Sequence, residues 1–445
     1  MNKNSSLFSN LLDKNFYIDS REVRENSVFI CLKGPSNDGH SYAKSVLAKF
    51  KKTLIICQSN SSLIQGIKKN PRVLTCKSTI KFLQNLAEIK RYLYEDKIFI
   101  CITGSSGKTT LKNLLYDKLK KFGPSYKSIK SYNNHIGLPF TLINQKKKSN
   151  YNVYEAGMNA PGEIDKLTKI LRPNIGIITN IGDAHIGKLG SQYNIFKAKS
   201  EIIHNIKSHG TLILNGDCKY YDKLKKIGKK KKLKILSFGK NSNNNISYKF
   251  QKNNNVIFKI KKISYKIQLN EVSMNHIYNI CAVLLVLYLL NLKFSQIIKE
   301  FKNLKNIRGR GNLKKIKRNI EIIDESYNSN PSSLKNSIIN LDNIKTKKKK
   351  ILVIGDMLEL GKFSTAKHKE LGKYINKFNF DKVFTIGKES KTLFNQLHKQ
   401  IRGKSFGNVK EIVGELDNVL VENSIILFKS SNSVGLNKLL NNEIY

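Results

Sequence analysis

The chain has 445 residues, 40% of them hydrophobic, which at roughly 150 residues per domain supplies packed cores for two to four domains and excludes wholesale disorder. Eighty Lys and Arg against 32 Asp and Glu give a formal net charge of +48. These charges recur in short runs such as Lys229–Lys232 and Lys347–Lys350 rather than on one arm or helix, so the composition describes a solvated, polyanion-attracting surface and not a dedicated nucleic-acid binder.

Cys31, Cys57, Cys76, Cys101, Cys218 and Cys281 are scattered without a C-x-x-C pair, and several sit in apolar runs as free buried thiols do, which suits a reducing cytoplasm. Met1–Leu12 lacks the apolar core of a secretory leader. The longest apolar run, Ile280–Leu290, is about eleven residues, against the ~20 needed to span a bilayer. A cytoplasmic protein without membrane insertion is expected.

In chain order, Ile18-Asp19-Ser20-Arg21 is followed by the apolar run Val28–Leu32, then Lys33-Gly34 and Asp38-Gly39-His40. The apolar run Ile98–Ile102 leads into Thr103-Gly104-Ser105-Ser106-Gly107-Lys108-Thr109-Thr110, and Leu111, Leu114, Leu115, Leu119 and Phe122 then follow at helical spacing. A strand, a small-residue loop and a helix in this order form a phosphate cradle. Backbone N–H groups of Gly104, Ser105, Ser106 and Gly107 curl around phosphate oxygens, and the helix start at Thr109 and Thr110 adds its positive end. Lys108 meets the β/γ-phosphates and the Thr109 hydroxyl can ligate Mg²⁺. The loop is the tighter G-x-x-G-K-T, because Ile102 occupies the place of the first Gly in the longer pattern.

Further apolar runs at Ile175–Thr179, Thr211–Leu214, Ile351–Ile354, Lys382–Ile386 and Ser424–Phe428 alternate with amphipathic helices, which predicts an α/β protein with parallel sheets. Glu155 and His185 each end a strand-like run, where open α/β sheets gather their ligands, and together with the loop they make a plausible Mg²⁺ site. Lys240–Gln268 alternates polar and apolar residues and reads as a small antiparallel hairpin with turns at Asn243–Asn245 and Asn253–Asn255. Three blocks are expected: residues 1–96, 97–305 and 306–445.

The phosphate loop resembles that of the Mur ligases, a family that includes folylpolyglutamate synthases, and other stretches resemble the same family in order. Ser131–Pro139 is similar to its N-N-x-I-G-x-P segment, and Gly157–Ile164 to the G-x-N-x-P-G-E-[IL] stretch of the D-alanyl-D-alanine-adding branch. Ile322–Pro331 is similar to I-x-D-[DA]-x-Y-N-A-N-P and Gly355–Gly361 to G-D-M-x-E-L-G, with His368 following; both belong to that branch. Phe428–Ser433 aligns with V-K-G-S-R-S, with Ser430 for Gly and Asn432 for Arg.

The resemblance implies three domains: a small UDP-binding α/β domain, a P-loop-type ATPase domain with a parallel sheet, and a Rossmann-like domain. It implies ATP, two Mg²⁺ ions and two substrates, UDP-linked muramoyl tripeptide and D-alanyl-D-alanine, bound to a monomer. By the same resemblance Ser20, Arg21 and Lys33 hold the UDP part, while Asn133 and Asn134 lie near the substrate. Tyr327, Asn328 and Asn330 join them as substrate contacts. Glu155, His185 and Lys199 hold metal, Lys199 as a carbamate. Arg310 reaches the phosphates, and Asp324 or Glu325 holds the ribose, with alignment to Pro331 favouring Glu325. The adenine contact departs from the family's G-x-H-x-x-x-N: Asn275 stands at the His position, and Asn279 is retained. Hinge motion is expected near Asn306–Arg310. Alternatives are another Mur-type ligase adding a diamino acid or glutamate, a degenerate paralogue that binds without turnover, and a P-loop protein that binds nucleic acid.

Overall fold

The computed structural model describes residues 11–270, 276–293, 295, 297–304 and 309–444. The first sheet holds four parallel strands in chain order: β1 (Phe16–Tyr17), β2 (Val28–Ile30), β3 (Leu54–Gln58) and β4 (Val73–Cys76).

The second sheet uses β5 (Ile98–Thr103), β6 (Ser125–Lys127), β7 (Tyr151–Glu155), β8 (Ile175–Ile178), β9 (Thr211–Asn215), β10 (Lys234–Gly239), β11 (Ile246–Phe250), β12 (Asn255–Ile260) and β13 (Ile263–Gln268). Their order is β13-β12-β11-β10-β9-β8-β5-β7-β6, parallel from β11 to β6 and antiparallel across β11, β12 and β13. The predicted hairpin is therefore a three-stranded meander. Asn253 and Asn254 make the first turn in the left-handed region (φ 58° and 55°), as Asn-rich sequence suggests. Lys261 makes the second turn (φ 52°), and a lysine gives no turn signal, so the extra strand is hidden in the sequence. Asn243–Asn245 instead lead into β11, which runs parallel to β10.

The third sheet uses β14 (Asn312–Ile316), β15 (Ile320–Glu325), β16 (Lys349–Gly355), β17 (Lys382–Ile386), β18 (Arg402–Phe406) and β19 (Ser424–Lys429), in the order β14-β15-β19-β16-β17-β18. Only β14 is antiparallel. The chain is thus a three-sheet α/β protein, as expected. Among the described residues no helix is long and apolar enough to cross a membrane. The apolar helix Ile277–Leu289 is instead buried against the sheet beside the helix Lys108–Leu119, in one cluster with Leu111, Leu115 and Leu119.

The first and second sheets are joined by a buried cation. Arg91, on the helix Thr79–Leu93, donates from Nε to the Leu171 carbonyl (2.6 Å) and from Nη2 to that of Arg172 (2.8 Å). Those carbonyls end the helix Glu163–Leu171, where the negative pole of the helix favours a cation. The guanidinium also stacks 3.9 Å from the Phe99 ring centroid on β5. Lys90 beside it donates to the Ile143 carbonyl. Replacing Arg91 by Ala orphans these buried carbonyls and opens a cavity, so a loss of ~3 kcal/mol is expected as a lower thermal unfolding midpoint. A midpoint within a degree of wild type would show that this joint does not carry the interdomain contact.

Candidate active site

β5 ends at Thr103, and the chain then turns through Gly104 (φ 148°) and Gly107 (φ 81°) before the helix starts at Lys108. A Cβ on Gly104 would lie 1.9 Å from the Thr179 hydroxyl oxygen, so no side chain fits there. The loop after β8 braces the cradle: Asn180 Oδ1 accepts from the Ser105 and Ser106 amides (3.1 and 3.0 Å), and the Gly182 amide donates to Ser105 Oγ (2.8 Å). Sequence reasoning missed Asn180, whose only signal is its place just past a strand. Lys108 Nζ folds back to the Gly104 carbonyl (2.8 Å), and burial pushes its pKa down. Thr110 lines the cavity beside it.

Glu155, the last residue of β7, is wholly buried. Its carboxylate accepts from the Thr109 hydroxyl (2.9 Å) and from Asn133 Nδ2 (3.2 Å), with Lys112 Nζ 3.9 Å away. Burial brings the Lys112 amine down to about 8. Ser131 Oγ lies 3.5 Å from the Thr109 hydroxyl. Among the described residues no three His, Cys, Asp or Glu side chains cluster as a metal cage. One buried carboxylate with neighbouring hydroxyls instead fits Mg²⁺, which keeps waters and substrate phosphates as its other ligands.

His185 follows β8 in the left-handed region (φ 67°) and lines the cavity, but its Nδ1 lies 2.8 Å from Glu359 Oε2 of the third sheet's domain. Lys199 is buried in the helix Gln192–Ser200. Burial, and secondarily the Lys108 charge, push its amine well below the usual lysine range. The electrostatic reach of Lys108 thus includes both Glu155 and Lys199.

The phosphate loop, Ser131 and His185 border a cavity of about 730 Å³, whose lining does not include buried Glu155 or Lys199. At one end lie Asn215, Asp217, Phe238, His276, Tyr278 and Asn279; at the other, Asn133, Asn134 and Gly157–Asn159. Asn275 lies outside the described residues, and its neighbour His276 lines the wall. The roof comes from the third domain: Arg310, Glu325, Tyr327, Asn328, Asn330 and Lys429. Tyr327 Oη reaches Ser131 Oγ at 3.2 Å, and the Arg310 guanidinium sits 4.3 Å over the Tyr327 ring.

Glu325 lines this roof with Lys429 Nζ 2.6 Å away, whereas Asp324 does not. Successive residues of a strand face opposite sides, so β15 presents only one of them to the cavity. Asp324 accepts instead from the Gly309 amide (3.1 Å) and the Ser326 amide (3.0 Å), shaping the loop that carries Arg310 and Tyr327. Its expected ribose contact is corrected to this buried structural role.

Ser20, Arg21 and Lys33 do not line the cavity. Exposed Arg21 is paired with Asp19 (Nη2 to Oδ2, 2.6 Å), and this hydrogen bond holds the Asp19 carboxyl down to about 2. Lys130, just before the Ser131–Pro139 segment, contributes to the same shift. Asp38-Gly39-His40 is a structural turn, with buried His40 Nδ1 2.6 Å from Asp38 and Nε2 accepting from the Gln58 amide (2.9 Å).

Residues 102–287 match the Mur ligase middle domain, and residues 309–432 match the Mur ligase, glutamate ligase domain. The chain is 30% identical to the UDP-N-acetylmuramoyl-tripeptide–D-alanyl-D-alanine ligase of Bacillus subtilis, over 95% of this chain and 91% of that one. It belongs to the Mur ligase family. The enzyme of the same description from Buchnera aphidicola (subsp. Baizongia pistaciae) is 31% identical over 95% of this Mur ligase and 90% of its own length. MurF from Acinetobacter baumannii superimposes with a TM-score of 0.84 at 25% identity, covering 96% of this chain and 92% of that one. MurF ligase from Thermotoga maritima, solved in complex with ADP, gives 0.82 at 28% identity and 97% coverage of both.

In this Mur ligase the segment Gly355–Gly361 is pinned by buried His368, whose Nε2 accepts from the Met357 amide (3.2 Å). Ser430, at the family's Gly position, is buried, with its hydroxyl unpartnered. Gly355 makes room for it, since a Cβ there would lie 2.7 Å from Ser430 Cβ. Residues 305–308, which cover most of the expected hinge, lie outside the described residues. Replacing Gly104 by Ala forces Thr179 and the cradle apart, so ATP affinity is expected to fall at least about tenfold, equivalent to ~1.4 kcal/mol, in calorimetric titration. Unaltered ATP binding would show that the cradle tolerates a Cβ.

Proposed function

We propose that this chain joins D-alanyl-D-alanine to the terminal carboxylate of UDP-N-acetylmuramoyl-tripeptide, converting ATP to ADP and phosphate, and so makes the pentapeptide precursor of peptidoglycan. One observation carries the reading: a chain collinear with ligases of that description holds a cavity bordered by a phosphate loop and a roof from the third domain, with the Thr109 hydroxyl in its wall bonded to buried Glu155.

A carboxylate is a poor electrophile, so it is first activated: its oxygen attacks the γ-phosphorus of ATP, giving an acyl phosphate and ADP. The dipeptide amine then attacks the acyl carbon, phosphate leaves, and the amine's proton passes to solvent. Lys108 and Arg310 stand where charge on the transferred phosphoryl group develops, and the cradle amides fix its position. Glu325, held by Lys429 and Ser337, is placed to accept from the ribose. Asn279 and His276 would border the base, and Asn133, Asn134, Tyr327, Asn328 and Asn330 the acceptor; all of them line the cavity. Bound Mg²⁺, held by Thr109 and Glu155 and at a second position by His185 and Lys199, would supply further charge neutralisation at the phosphoryl and acyl oxygens.

Lys199 is proposed to act as a carbamate. Desolvation, and secondarily Lys108, push its buried amine toward the neutral form, and only a neutral amine adds CO₂. The carbamate would return a negative charge near Lys108, beside the charges of Glu155 and Glu359 that already act on it. Residues 1–96 would bind the UDP part through Ser20, Arg21 and Lys33, residues 97–305 would hold ATP, and residues 306–445 would close over both. The protein would act as a cytoplasmic monomer, where ATP and the UDP-linked precursor are found.

Two measurements follow. Phosphate release is expected only when ATP, Mg²⁺, the UDP-linked tripeptide and D-alanyl-D-alanine are all present, with a product heavier by one dipeptide unit. Equal release with a free diamino acid and the shorter precursor would reassign the branch. Carbon-13 NMR of enzyme equilibrated with labelled bicarbonate should show a carbamate signal that Lys199→Ala removes. A signal that survives this substitution would exclude Lys199 as its source.

A further inference from the structure

The formal charge of +48 is not spread evenly over the surface. From Lys223 to Asn270 the chain holds fifteen lysines and no Asp, Glu, Arg or His. All of these lysines are exposed except Lys225, which is half-buried. The stretch forms the helix Tyr221–Lys230 and strands β10 to β13. The helix packs on one side of the sheet: a Cβ on its Gly228 would lie 2.6 Å from the Ile235 side chain of β10 and 2.8 Å from that of Leu212 on β9. Its outer side carries exposed Lys226, Lys229 and Lys230. Ile235 and Gly239 lie on the same side of β10, and Gly239 pairs with Ser247 of β11, so strand alternation puts Ser247 and Lys249 on the helix's side. From there the register runs Ser247–Lys259–Ser264 and Lys249–Ile257–Lys266 across β11, β12 and β13. Lys249, Lys259, Ser264 and Lys266 are exposed, so this side of the sheet lies open. The opposite side of the same strands is buried with the helix Ile277–Leu289 through Tyr248, Val256, Phe258 and Ile267.

We propose that this open sheet face, together with the outer side of the helix beside it, docks the protein peripherally on an anionic lipid bilayer. The inference is independent of the ligase reading, since none of the fifteen lysines lines the cavity. Elsewhere lysines such as Lys335 and Lys404 are paired with Glu370 and Glu415, at 2.6 Å each. Among the described residues none of the fifteen has a carboxylate partner, so their charges are available to a polyanion. Lysines on an edge strand guard against strand-to-strand aggregation, which accounts for Lys266 on β13 but not for Lys249 and Lys259 on interior strands. Along each row lysine alternates with Ser or Ile, so no two lysines stand directly opposite and their repulsion stays small. Nucleic acid is the poorer fit. The stretch offers no Arg fork for phosphates or base edges, and none of the six residues of the open face is aromatic, so bases have no platform to stack on. A ring-free face that carries lysine alone suits the diffuse negative potential of phospholipid headgroups, which attracts each lysine as a point charge. Neither row projects an exposed apolar side chain, so the contact ends at the headgroups.

The test is sedimentation of the full chain with vesicles of equal parts phosphatidylcholine and phosphatidylglycerol, against vesicles of phosphatidylcholine alone. Wild type is expected to sediment with the mixed vesicles only. It should be released when ionic strength rises from about 0.1 M to about 1 M, as the Debye length falls from ~10 Å to ~3 Å. The triple variant Lys249→Gln, Lys259→Gln, Lys266→Gln should bind the mixed vesicles at least about tenfold more weakly. Its thermal midpoint and ATP affinity should match wild type, because the three side chains are exposed and outside the cavity. The same loss is expected for Lys226→Gln, Lys229→Gln, Lys230→Gln on the helix, which decides alone if the sheet variant does not fold. Lys382→Gln, Lys404→Gln, Lys410→Gln removes as much charge from exposed positions of the third domain and should bind like wild type. Equal sedimentation of wild type with both kinds of vesicle, or an equal loss in the third-domain variant, would overturn the inference. Displacement from the mixed vesicles by duplex DNA at matched phosphate concentration would also overturn it, by reassigning the face to nucleic acid.

Discussion

A carboxylate with no exposure to solvent must be paired, because its desolvation alone costs several kcal/mol. Glu155 meets that demand with three groups from two segments: Thr109 on the phosphate-loop helix, Lys112 one turn further along it, and Asn133 from the segment after β6. The same contacts fix the register of β7 against the loop and put the Thr109 hydroxyl beside the acceptor end of the cavity. Ser131 extends the chain of hydroxyls to Tyr327, so the roof is referenced to the same carboxylate.

Four cations lie in and around the phosphate-loop region, Lys108 and Arg310 in the cavity lining and Lys112 and Lys199 outside it. Burial lowers the proton affinity of each of them. Such a cluster is unfavourable in a protein that binds nothing, and favourable in one that takes a triphosphate and a carboxylate substrate. The net charge of the whole chain is a weaker guide, since most of its lysines lie in solvated runs away from the site.

The two interdomain contacts differ in kind. Between the first and second domains, buried Arg91 caps a helix end and stacks on β5, so separation would strand charge and carbonyls. Between the second and third, the links are the His185–Glu359 and Lys367–Asp183 pairs and a small apolar contact. Partly exposed ion pairs of this sort contribute little net stability and part readily. The first joint is thus the costlier of the two to separate.

The phosphate loop, the α/β class and the residues Lys108, Thr109, Glu155 and Tyr327 were legible in the sequence, because backbone chemistry at a strand–loop–helix junction demands glycine, lysine and threonine at fixed spacing, and because ordered family motifs flank them. Alignment to Pro331 favoured Glu325 over Asp324, and the alternation of β15 puts Glu325 on the cavity side. The second turn of the meander, at Lys261, carried no turn residue and stayed hidden. Asn180, Lys429 and Glu359 were missed as site residues because each acts on a group from a distant segment, and no local pattern records such a partner. The sequence by itself determined the chemistry of the cradle, which depends on neighbours in the chain. Only the tertiary structure decided which carboxylate faces the ligand and which imidazole meets a second domain, because burial and side-chain direction arise from packing between elements and not within them.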